Sequence, residues 1–198
     1  MSRSERGSSE RDPYTEKAKR ENYPSRASYK LIDIQDRFGI IEKGDAVLDL
    51  GSSPGGWTKV ALDLGARRVV AVDPVPMRFT DVRVHFLQSE MELCLGSLIE
   101  EFDVVLSDAA PSTSGCHSLD QAKSIDLGEK SLKYCELYLK RGGNLVVKVF
   151  QGDLYPQFFG QVKSAFRYAK PYSPRASKRG SSEIYLIGRS FRGQKISS

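Results

Sequence analysis

Apolar residues recur in two rhythms along this chain. Ala27, Leu31, Ile34 and Phe38 fall at helical steps, which predicts an amphipathic helix over Ser25–Phe38 that Gly39 ends. Upstream, Asp12-Pro13 reads as a helix start, a capping residue before a proline in the first turn. Beyond Gly39, short apolar runs alternate with longer periodic segments. Ala46–Leu50, Arg68–Val72, Val84–Leu87, Phe102–Leu106, Asn144–Phe150 and Glu183–Gly188 read as strands, with Tyr168–Lys170 a further short one. Trp57–Leu64, Glu90–Ile99, Leu119–Leu139 and Leu154–Phe166 read as helices, and the small residues of Ala109–His117 as a loop. Strands alternating with helices predict an α/β fold with a mostly parallel sheet and helices on both faces. Ligands of such sheets bind outside the carboxyl ends of the strands.

The residues at those ends carry the candidate chemistry. The first strand runs into Asp49-Leu-Gly-Ser-Ser-Pro-Gly-Gly-Trp57, where Gly51, Gly55 and Gly56 permit a sharp turn and close backbone approach. The run lacks the G-x-G-x-x-G of nicotinamide dinucleotide sites and the Gly-Lys-Ser/Thr of a phosphate loop. Asp49 would repel a pyrophosphate but suits a cation or an amine; a generic tight turn is the plain alternative. Asp73 ends the second strand, 22 residues after Gly51, where an acid binds ribose hydroxyls or caps a turn. Glu90 follows the third strand and either accepts from an adenine amino group or serves as a first-turn acid. Asp108 ends the fourth strand. Lys148 interrupts Leu145-Val-Val-Lys-Val-Phe150, an expensive place for an ammonium that has no partner or task. Glu183 opens the last strand, and Lys30 borders the apolar face of the early helix.

Charge narrows the partners. The 198 residues carry 30 Lys+Arg and 25 Asp+Glu, a formal net charge of +5. Residues 1–43 hold +2, residues 44–160 hold −5 and residues 161–198 hold +8. An acidic middle between basic ends suits a cationic or neutral ligand in the middle and a polyanion at the ends, although charge taken alone reads first as a basic, partly disordered tail. Three cysteines (Cys94, Cys116, Cys135) at no paired spacing and two histidines argue against a disulfide framework and against a metal site. No run approaches the about 20 apolar residues of a membrane helix, and the N-terminus lacks a signal sequence, so a cytoplasmic protein is expected. Residues 1–11 read as a disordered polar tail, 12–190 as one domain with an N-terminal helical extension over 12–43, and 191–198 as a polar tail.

Six ordered motifs resemble one family. Ser25-Arg-Ala-Ser-Tyr-Lys30-Leu31, Leu48–Trp57, Val72-Asp73-Pro74, Leu106-Ser-Asp108-Ala-Ala-Pro111, Val147-Lys148-Val-Phe150 and Ser181-Ser-Glu183-Ile-Tyr185 are similar to those of the FtsJ/RrmJ-like RNA ribose 2′-O-methyltransferases. The resemblance implies a Rossmann-like seven-stranded sheet whose last strand is antiparallel. It implies a catalytic set Lys30, Asp108, Lys148 and Glu183, with Lys148 the principal base. It implies S-adenosyl-L-methionine as cofactor, held by Asp49, Gly51, Ser52, Pro54, Gly55, Gly56, Trp57, Asp73, Glu90 and Asp108. Ser89-Glu90 stands where the family usually presents Gly-Asp. The implied substrate is a uridine of large-subunit (23S) rRNA, with tRNA, an RNA cap or a non-catalytic role in ribosome assembly as the rivals. Arg26, Arg175, Lys178 and Arg179 are the expected RNA contacts, Tyr23 and Tyr172 candidate stacking residues, and a monomer the expected form.

Overall fold

A computed structural model describes residues 12–112, 114–178 and 180–193. Two helices come first, α1 (Pro13–Arg20) and α2 (Ser28–Phe38). Then follow β1 (Ala46–Leu50), α3 (Gly56–Asp63), β2 (Arg68–Asp73), β3 (Val84–Gln88), α4 (Met91–Cys94) and β4 (Phe102–Ser107). The chain continues through α5 (His117–Tyr138), β5 (Leu139–Phe150), α6 (Tyr155–Ala165), β6 (Phe166–Tyr172) and β7 (Glu183–Phe191). The seven strands form one sheet in the order β3-β2-β1-β4-β5-β7-β6. β3, β2, β1, β4 and β5 run parallel, and β7 lies antiparallel between β5 and β6.

Pleating sorts each strand between two cores. Leu48, Leu50, Val105, Leu145, Val147, Val149 and Leu186 pack under α5 and α6. Val47, Ala71, Val104, Leu106, Val146, Tyr185 and Ile187 pack under α2 and α3. Both faces are covered, so the central strands read as continuous apolar runs rather than alternating ones. The alternation also has a consequence for chemistry. Asp108, Lys148 and Glu183 share the parity of Leu106, Val146 and Tyr185, so all three belong to the α2 face.

Several predicted boundaries move. The helix expected over Ser25–Phe38 begins at Ser28, because Ser25 to Ala27 form a turn that tucks Ser25 and Ser28 against Gly56. Its apolar spacing is as predicted, with Leu31, Ile34 and Phe38 buried. The helix expected over Glu90–Ile99 shrinks to Met91–Cys94. Leu93 is 76% exposed and Ile99 fully so, leaving too little buried face to extend it. β5 starts directly after α5, five residues earlier than expected, through an irregular register between Phe102 and Val104. β6 is longer than its three predicted residues. β7 extends to Phe191, which is buried against Phe166, so residue 191 belongs to the sheet and not to a polar tail. Residues 1–11 and 194–198 lie outside the described residues.

Candidate active site

The carboxyl ends of β1, β2 and β4 border a cleft of about 500 Å³. Gly51, Asp73, Glu90 and Asp108 line it, together with Ser53, Val75, Ala109 and Ser112. Gly51 has φ +72°, and a Cβ there would lie 2.5 Å from Ala109 Cα. A side chain at this position would wedge the two loops of the cleft floor apart. Asp73 is nearly buried and accepts from the backbone N–H of Ser53 (2.9 Å) and of Val75 (2.7 Å). Each oxygen retains a lone pair for a further donor. Glu90 is exposed at the rim. Beyond the lining residue Ser112, Asp120 accepts from the Ser114 N–H at 2.7 Å and its hydroxyl at 2.8 Å, which holds its carboxyl below the usual range against the opposing effect of desolvation.

The rest of the Gly-rich run does other work. Asp49 is fully buried beneath the cleft, with Oδ2 accepting from Thr58 at 2.6 Å and Oδ1 unpartnered. Burial, with the charges of Asp108 and Asp73 adding to it, pushes its carboxyl up to about 7 despite the Thr58 hydrogen bond. Ser52 is buried with an unpartnered hydroxyl. Pro54 and Gly55 are not among the cleft's lining residues; Gly55 lies against Met77 and Phe79, and Gly56 against Ser25 and Ser28. The Trp57 indole is core, donating to the Ala27 carbonyl at 2.9 Å and packing beside Tyr185. Six of the ten residues expected at the cofactor, Asp49, Ser52, Pro54, Gly55, Gly56 and Trp57, therefore stand outside the cleft lining. Packing requires both glycines as well, Gly55 against the β2–β3 connection and Gly56 against the start of α2.

Next to the cleft, the four expected catalytic residues converge. Lys30 Nζ donates to Glu183 Oε1 at 2.6 Å and to the Tyr185 hydroxyl at 3.1 Å. Tyr185 donates to Asp108 Oδ1 at 2.8 Å. Lys148 Nζ sits 3.0 Å from the same oxygen and also donates to the Asp108 carbonyl. Two ammonium groups and two carboxylates thus balance in one connected chain, with side chains only 7–16% exposed. Such burial is tolerable because each charge is paired and hydrogen-bonded. Ser177 adds a hydrogen bond to Glu183 at 3.1 Å. Tyr185, whose hydroxyl desolvation pushes far up, is the hub that residue-by-residue reasoning missed. Strand periodicity points to it, since Tyr185 stands two residues after Glu183 on the same face.

The expected RNA contacts divide. Arg26 is not free: it pairs with Asp12 and donates to the Ala176 carbonyl, clamping α1 and the loop before β7 to α2. Tyr172 packs on Phe38 and donates to Asp33, and the Tyr23 ring lies edge-on to Tyr29. Arg175 and Lys178 are exposed, the former loosely beside Asp33 at 3.8 Å. Arg179 lies outside the described residues. Among the described residues no cluster of His, Cys, Asp and Glu suits a metal ion, and no helix is long and apolar enough to cross a membrane.

Residues 23–191 match the profile of the FtsJ-like methyltransferases. The chain belongs to that family. A "ribosomal RNA large subunit methyltransferase E" of Archaeoglobus fulgidus is 46% identical over 186 residues, covering 91% of this chain and 96% of that protein. One from Thermoplasma acidophilum is 43% identical over 197 residues, covering 95% and 96%. Among solved structures, a Plasmodium falciparum protein described as a ribosomal RNA methyltransferase superposes with a TM-score of 0.75 at 26% identity, covering 87% of this chain and all of that one. The fold of this family member is accordingly the Rossmann-like methyltransferase sheet, with β7 as its antiparallel insertion.

Proposed function

We propose that this methyltransferase moves a methyl group from S-adenosyl-L-methionine to a ribose 2′-hydroxyl of large-subunit rRNA, as a cytoplasmic monomer. The observation that carries the reading is the double membership of Asp108. It lines the cleft and, through both its carboxylate and its carbonyl, anchors the Lys148–Tyr185–Lys30–Glu183 chain. The donor site and the proton-handling site therefore share a wall. The named relatives supply the RNA class.

The residues at the cleft suit the cofactor. The Asp73 carboxylate offers acceptors to ribose hydroxyls, Glu90 an acceptor to an adenine amine, and Gly51 the open floor. When bound, the sulfonium supplies an already activated methyl group. The protein then needs only to place the nucleophile and remove one proton. Asp108 presents two acceptors to Lys148 Nζ, its carbonyl and Oδ1. They fix Lys148 Nζ beside the cleft, and the ammonium must shed one proton to solvent before it takes the 2′-hydroxyl proton. Lys30, fixed by Glu183 and Tyr185, stands where a cation steadies the developing alkoxide.

The test is transfer of labelled methyl to isolated rRNA, tRNA and ribosomal subunits, followed by nucleoside mapping. Label at a ribose O2′ of large-subunit rRNA is expected. Lys148→Ala should lower the rate by about 100-fold or more with cofactor affinity kept. Label on a base, on tRNA alone, or near-normal transfer by the variant would overturn the assignment.

A further inference from the structure

Of the basic side chains of residues 161–198, Lys170 and Arg189 lie on the outer strands β6 and β7, apart from the loop that carries Arg175 and Lys178. A second concavity, of about 640 Å³, opens between the C-terminal end of α2 and the outer strands β6 and β7. It is lined by Arg37, Phe38, Tyr168, Lys170, Arg189 and Ser190, with no carboxylate among them. Arg37, Lys170 and Arg189 form no ion pair among the described residues. This sets them apart from Arg26, Lys30 and Arg175, which do. The cross-strand pairs Tyr168↔Arg189 and Lys170↔Ile187 put Tyr168, Lys170 and Arg189 on one face of the sheet. It is the face of the catalytic chain, since Ile187 and Tyr185 share it. Tyr168 is 45% exposed on the edge strand, an aromatic surface ringed by three cations.

We propose that this groove is a second RNA site, gripping the strand that flanks the methylated nucleotide. The proposal rests on the RNA-methylating reading above. Unpaired guanidinium and ammonium groups around a half-exposed tyrosine match phosphates and an unstacked base. An apolar protein partner would find only Phe38 and Tyr168 to bury. Arg189 lies six residues along β7 from Glu183, about 20 Å at strand rise. A stacked strand covers that distance in about six nucleotides. An unstacked strand covers it in fewer, so a dinucleotide reaches the catalytic chain without reaching the groove.

The test measures binding and methyl transfer of the full chain on ribosomal subunits and on two RNAs, both carrying the nucleotide mapped above, one a dinucleotide and one of several tens of nucleotides. The variant combines Arg37→Gln, Lys170→Gln and Arg189→Gln, with thermal melting as the check on folding. On the long RNA its affinity should fall by about tenfold or more, and the log–log salt slope should flatten by about two, near 0.7 per lost phosphate contact. On the short RNA both proteins should bind alike. Tyr168→Ala should weaken long-RNA binding and Tyr168→Phe should not. An unchanged slope and affinity on the long RNA overturns the proposal. So does a defect confined to protein-containing subunits, which would assign the groove to a protein. Failure of the wild-type chain to methylate any RNA would instead bring down the underlying reading, which binding alone does not probe.

Discussion

Tyr185 joins two ion pairs that would otherwise stand apart. Its hydroxyl accepts from Lys30 and donates to Asp108, while its ring packs beside Trp57. Replacing it with phenylalanine keeps the packing and leaves no charge unpaired, since Lys30 retains Glu183 and Asp108 retains Lys148. Tyr185→Phe should therefore cost about 1 kcal/mol of stability and lower kcat by about tenfold at most. Its KM for the cofactor should not move, because Tyr185 does not line the cleft. Denaturant unfolding and steady-state kinetics read both. A rate loss as large as that of Lys148→Ala would make Tyr185 a direct participant. The contrast is physical: removing a lysine strands a buried carboxylate, whereas removing this hydroxyl strands nothing charged.

The βα turns carry the site, and they are where sequence and structure diverge most instructively. β1, β2 and β4 announce themselves as apolar runs because both faces of the sheet are covered, and their ends mark Asp73 and Asp108. Lys148 is legible for the same reason, as the one charge within Leu145–Phe150. The exclusions are not legible, because they depend on contacts distant in the chain. Arg26 looks free until Ala176, 150 residues away, supplies its acceptor. Gly55 and Gly56 read as ligand glycines, and Met77, Phe79 and α2 add a packing requirement that the sequence does not display. Gly51 is the one whose requirement belongs to the cleft. Gly51→Ala combines a positive φ with a backbone clash at Ala109, immediately after Asp108. It should cost more than the about 1–3 kcal/mol of a strained φ alone and reduce methyl transfer. Gly96→Ala also has positive φ but meets open space, so it should show the strain without the loss of activity. Equal activity in the two variants, measured at saturating substrate, would remove Gly51 from the cleft's design.

At the scale of the whole molecule, the buried centre is coupled to pH through Asp49. β1 lies near the middle of the sheet, and Asp49 is enclosed there with one oxygen unpartnered. Its carboxyl, pushed up to about 7 by burial, keeps its proton in the folded protein where the unfolded chain, near 3.8, has lost it. Between these values the folded state binds more protons than the unfolded one, so stability falls as pH rises, by a few kcal/mol in total. Asp12, Glu92, Asp103 and Asp120 are shifted the other way by their hydrogen bonds and partners. Their contribution is present above their unfolded values and is lost as pH drops further, so it acts mainly below the Asp49 window, where Asp49 no longer changes stability. The molecule should thus be most resistant to denaturant near pH 5 and weaken toward pH 8. Asp49→Asn preserves an acceptor for Thr58 and removes the ionisation. Urea midpoints of this variant should stay flatter from pH 5 to 8, and its stability relative to the wild type should rise across that interval. Parallel pH profiles for the two proteins would show that Asp49 is already ionised in the fold, with its free oxygen solvated. The charge that matters for stability would then be elsewhere in the acidic middle of the chain.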